Sequence, residues 1–166
     1  MVAAVPTVEQ VIDGVHSVIN AIGSIGTVLK RDHTFEDDVE FIEINNYITS
    51  GSLDLWIIDL ESTSPFEGEG VGEAYDRYTI RIRYWSMRTN NPDWSKDARL
   101  KAQSVVDALT GHDSVFKIGG QVQLFTPTTV GIVSHGPAQI RDITRNAGQM
   151  VYETVLILQV ESRRWT

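Results

Sequence analysis

The chain has no cysteine. Disulfides, thiolate nucleophiles and cysteine-ligated zinc or iron–sulfur centres are therefore excluded, and the redox compartment stays open. It also lacks a basic balance. Fourteen Lys and Arg stand against 22 Asp and Glu, a formal charge of −8. A domain that grips phosphate backbones gains affinity by neutralising phosphates, so an acidic chain is a poor candidate for holding nucleic acid. No apolar run approaches the roughly 20 residues of a membrane span. The opening Met1-Val2-Ala3-Ala4-Val5-Pro6 has neither a basic n-region nor a long apolar h-region. No secretory leader is expected from it. There is no internal repeat and no Asn-x-Ser/Thr acceptor.

What is present is a balanced composition: 166 residues, 42% hydrophobic and 22% charged. That suits one folded domain spanning 1–166 with a single core.

Residues 7–25 show the clearest helical spacing. Val8, Val11, Ile12, Val15, Val18, Ile19, Ile22 and Ile25 recur in steps of three and four. Thr7 and Gln10 make a capping box, and Gly23 and Gly26 mark the end. Short extended segments are expected at 27–33 and 40–45, with the acidic run Glu36-Asp37-Asp38 between them. Residues 53–61, with Trp56, read as a buried strand. Residues 62–74 hold three glycines, one proline and three glutamates, and predict an exposed, mobile loop. Residues 76–87 alternate cleanly. Tyr78, Ile80, Ile82 and Tyr84 share one side; Arg77, Thr79, Arg81, Arg83 and Trp85 share the other. The strands flanking the loop are expected to form one long antiparallel hairpin.

A second helix is expected from Pro92 or Asp93 to Leu109, stopped by Gly111. Strands are then predicted near 114–118, 121–126, 131–134, 138–144 and 150–162, with Asn146-Ala147-Gly148 as a turn. The last strand is apolar on both sides and should be central. This order predicts an α+β domain: two helices packed on a mostly antiparallel sheet with a long β-hairpin.

Catalytic and metal motifs are absent. His16, His33, His112 and His135 include no pair at helical i, i+4 spacing, and Asp32-His33 with Asp37 and Asp38 matches no metal loop. No G-x-S-x-G elbow exists. Gly68, Gly70 and Gly72 lead into a strand and are interleaved with Glu67, Glu69 and Glu73, which repel phosphate. No catalytic residue, metal or cofactor is expected.

The Arg/Trp side of residues 76–87 has two readings. One is a solvated face whose arginines pair with acidic neighbours. The other is a protein–protein face, because Arg and Trp are enriched at interface hot spots. The interface candidates are Arg77, Arg81, Arg83 and Trp85, the loop acids Glu67, Glu69 and Glu73, and the tail Arg163, Arg164 and Trp165. A chain end such as this tail is expected to fray.

Several segments taken together resemble a known family. They are Ile25-Gly26-Thr27-Val28 after the first helix, a strand with Trp56, and Tyr78-Thr79-Ile80-Arg81-Ile82. A second helix with Ala102, Val105, Val106 and Leu109 ends at Gly111, and Tyr152-Glu153-Thr154-Val155-Leu156-Ile157-Leu158-Gln159-Val160 closes the chain. This layout, from Val8 to Val160, resembles the tail terminator (tail completion) proteins of long-tailed bacteriophages. The resemblance implies a structural, non-enzymatic virion protein, made in the host cytoplasm and needing no cofactor. It implies a homo-hexameric ring at the head-proximal end of the tail tube, in contact with the tail tube protein and with a head–tail connector or stopper. DNA would pass through its lumen without being specifically bound. The alternatives are another ring of the neck, or a small enzyme or ligand-binding domain.

Overall fold

The structure is a computed structural model that describes the backbone of residues 8–31, 46–67, 73–88, 91–110, 117–118, 121–122, 125–142 and 147–165. These form α1 (Val8–Asn20), β1 (Thr27–Arg31), β2 (Ser52–Glu67), β3 (Glu73–Arg88), α2 (Trp94–Leu109), β4 (Lys117–Ile118), β5 (Gln121–Val122), β6 (Phe125–Asp142) and β7 (Ala147–Trp165). Five strands make one sheet in the order β1-β2-β3-β7-β6, and β4 and β5 pair separately. Among the described residues only β1 and β2 run parallel; the other pairings are antiparallel. The fold is α+β, with two helices and a mixed, mostly antiparallel sheet among the described residues. Among the described residues no helix is long and apolar enough to cross a membrane.

Both helices pack on one face of the sheet. Val11, Ile12, Val15 and Ile19 of α1 and Ala98, Ala102, Val105 and Leu109 of α2 bury against Trp56, Ile58, Tyr78, Ile80, Ile82, Tyr84, Leu156, Leu158 and Val160. A 13-residue helix is marginal alone in water. Burying four branched side chains supplies on the order of 6–12 kcal/mol before entropy, so packing decides that α1 is a helix. α1 ends sooner than its apolar spacing predicts. Ser24 and Gly26 take φ of 60° and 104°, and the chain leaves the helix before Ile25. Trp56 stacks on Tyr84 at 4.1 Å and donates Nε1–H to the Ile25 carbonyl at 2.9 Å.

The opposite face divides along its length. Leu53, Leu55, Ile57, Trp85, Met87 and Val151 form a second buried cluster, joined by Tyr47 and Ile48. Farther along β2, β3 and β7 the same face turns polar.

Three expectations need correction. Residues 62–74 are mostly strand. β2 continues to Glu67 and β3 starts at Glu73, with Ser62↔Thr79 through Glu67↔Ala74 in register after a bulge at Leu60/Ser62. Backbone pairing needs no apolar side chains, and Glu61, Ser62, Thr63 and Ser64 are exposed there. The tail residues Arg163, Arg164 and Trp165 are strand, paired with Tyr75, Ala74 and Glu73. The strands expected at 131–134 and 138–144 belong to one strand, β6. Gly136 and Pro137 fit within it because β6 is an edge strand, where Pro is tolerated. The segments expected at 32–33 and 40–45, the cap Thr7 and the turn residue Asn146 lie outside the described residues.

Candidate interaction surface

β3 sits mid-sheet with β2 on one side and β7 on the other, so each outward side chain of β3 faces a neighbour on both flanks. That position decides what its arginines do. Arg77 donates Nη2–H and Nε–H to Glu161 Oε1 of β7, at 2.6 and 3.1 Å. Arg83 donates to Asp59 Oδ2 of β2 at 3.1 Å and lies 5.0 Å from the Trp85 ring centroid. Trp85 is itself buried and donates Nε1–H to Glu153 Oε2 at 2.6 Å. Arg77 and Arg83 thus each pair with a carboxylate of a neighbouring strand.

Arg81 differs. It stands in register between Asp59 and Ile157, its side chain is exposed, and no ion pair is recorded for it among the described residues. The Arg83–Asp59 pair, with each side chain about one-sixth exposed, is the sheltered one. Pairs as open as Arg77–Glu161 are worth roughly 0–1 kcal/mol.

The other candidates converge on one end of the sheet. Glu67, Glu73 and Arg163 to Trp165 look unrelated in sequence. The ladder sets Glu67 opposite Ala74, Ala74 opposite Arg164, and Glu73 opposite Trp165. The hairpin end and the chain end are thus three adjacent strands. Glu69 lies outside the described residues.

The hairpin of β6 and β7 points the other way. Its ladder runs from Phe125↔Ser162 to Asp142↔Ala147, while the ladder of β3 with β7 stops at Ser86↔Tyr152. Residues 147–151 of β7 therefore extend past that ladder with β6 as their paired strand. Sixteen-residue strands reach about 53 Å and a sixteen-residue helix about 24 Å. β2 and β3 are thus each longer than α2.

Sequence reasoning missed a polar cluster at the start of α2. His135 of β6 contacts Thr154 Oγ1 of β7 at 2.7 Å and Ser95 Oγ of α2 at 3.3 Å. Its ring lies 5.4 Å from that of Tyr152, which meets Trp94 edge-on at 5.1 Å. Trp94 donates Nε1–H to Ser86 Oγ of β3 at 2.8 Å. Burial, then the Arg99 guanidinium, hold the imidazole below its ordinary range, and a hydrogen bond involving the Ser95 backbone pulls the other way. No sequence motif could find this cluster, because its members come from four elements. His16 is a structural neighbour of Val28, its Nε2 being 3.2 Å from that carbonyl. Among the described residues no group of three His, Cys, Asp or Glu could hold a metal ion. Asp32, His33, Asp37 and Asp38 lie outside them.

No family model matches the chain. No curated protein matches it. Among solved structures, a chain in the virion of a native gene transfer agent particle is similar over 92% of this chain and 94% of its own, with 13% identity and a TM-score of 0.43.

Proposed function

We propose that this chain is a structural subunit of a bacteriophage tail: a tail terminator that closes into a ring of six on the head-proximal end of the tube. The observation that carries this reading is the pair of hairpins at opposite ends of one sheet. A ring that stops a tube and receives a head needs two unlike ends on each subunit. It also needs two unlike flanks, since heterologous contacts close a ring. An exposed Arg81 on a chain with a surplus of eight negative charges offers opposite charges for such contacts. The same surplus suits a lumen that lets DNA pass without holding it. The order of elements resembling tail terminators supports the same reading.

The test is native mass of the purified protein over a wide concentration range, with negative-stain images of the same samples and of samples mixed with isolated tails. Six-membered rings, free or capping one tail end, are expected. Rings that copurify with tailless heads would assign the chain to the head side of the neck, as a connector or stopper. A monomer that ignores both tails and heads would overturn a neck role.

A further inference from the structure

The geometry points to His135 as a proton-sensitive clasp that fastens the outer strand β6 to the first turn of α2. Both ring nitrogens are engaged, one by Thr154 on the neighbouring strand and one by Ser95 on the helix. The ring also stacks on Tyr152, which links it through Trp94 to Ser86 of β3. One imidazole thus ties β6 to β7 and α2, and through them to β3. This inference does not depend on the ring reading.

The groups that face the ring set the sign of the response. On α2 these are Ser95 and the cation Arg99; on β7 they are Thr154 and Tyr152. Glu153, next in β7, is engaged by Trp85. No described carboxylate acts on the ring. Both hydroxyls can accept hydrogen bonds, so hydrogen-bond polarity does not exclude the imidazolium. Burial and Arg99 oppose it and outweigh the hydrogen bond involving the Ser95 backbone, which favours it; the first turn of a helix also presents its positive end. Protonation therefore favours the ring in water over the ring against Ser95. The strand can yield at that point. It is an edge strand, and its ladder carries an irregularity between Ile132 and Ser134, immediately before His135.

The open state has the ordinary histidine value near 6.5 and the closed state a lower one. Opening therefore takes up a proton. The clasp is fully favoured above the ordinary value and weakens as pH falls from there toward the closed-state value. What it controls is how firmly the outer edge of β6 is held to the helical body.

The test is hydrogen–deuterium exchange of the full chain between pH 7.5 and 5.0, corrected for intrinsic rates, alongside an NMR titration of the His135 imidazole. Protection of residues 94–99 and 131–137 should fall several-fold at the acid end, while α1 and β1 keep theirs. His135→Gln should remove the pH dependence. Should that variant fail to fold, Arg99→Gln, at an exposed position, serves instead: it should raise the imidazole pKa and blunt the response. Protection that is flat with pH, an imidazole titrating at or above 6.5, or an unchanged titration in Arg99→Gln would each overturn the clasp.

Discussion

Gly26 is held by its surroundings as well as by its φ of 104°. A Cβ there would lie 2.6 Å from both the Cβ and the carbonyl oxygen of Asp54. The neighbours cannot easily give way. Asp54 accepts from the Tyr84 hydroxyl and from Lys101 Nζ, and Tyr84 stacks on Trp56. Gly26→Ala combines backbone strain with overpacking and should cost roughly 2–4 kcal/mol. Urea melts should show a lower midpoint with an unchanged slope. Trp56→Phe keeps the stack and loses the donor to Ile25. It strands a buried carbonyl and should cost about 1–3 kcal/mol in the same measurement. The resemblance segment Ile25-Gly26-Thr27-Val28 thus has a local cause: it is where the chain crosses Trp56 and Asp54 to enter the sheet.

At the scale of elements, the last residues of β7 are part of the sheet. Residues 161–165 pair with 73–77 of β3, and Glu161 and Ser162 also pair with β6. Deleting 161–166 should leave the core cluster folded, since its ladder partners at 154–160 remain. It should strip protection from amides 73–77 in hydrogen exchange and free Arg77 from Glu161. The sequence revealed β3 and both helices well, because burial on one face leaves a period of two or of three to four. It revealed the hairpin end poorly. Ser62, Thr63 and Ser64 carry no apolar alternation, and what holds them in the sheet is backbone pairing with residues 77–79 of the next strand. The interface candidates were legible as a row on β3. Their partners Asp59, Glu153 and Glu161 were not, since register between strands is a tertiary fact. For the same reason the His135 cluster left no trace in the pattern.

For the whole molecule, the internal pairing of Arg77 and Arg83 narrows the proposed contact to Arg81. Arg81→Gln removes a charge from an exposed side chain without setting a second carboxylate opposite Asp59, so the thermal midpoint should stay within a degree or two. If Arg81 meets a carboxylate of the next subunit, native mass measurements should show assembly displaced to higher protein concentration. Unchanged assembly would remove Arg81 from the interface. The chain also divides into two halves of like design. The first supplies α1, β1 and the hairpin of β2 and β3; the second supplies α2 and the hairpin of β6 and β7. The ladder of β3 with β7 joins them, with both helices seated across it in one cluster. Each hairpin forms from near neighbours, whereas the seam joins residues 66 to 92 positions apart, so its closure should set the folding rate. The molecule is in effect a complementing pair of fragments on one string. Severed between β3 and α2, fragments 1–89 and 90–166 should copurify when expressed together, and each alone should aggregate through its exposed seam edge.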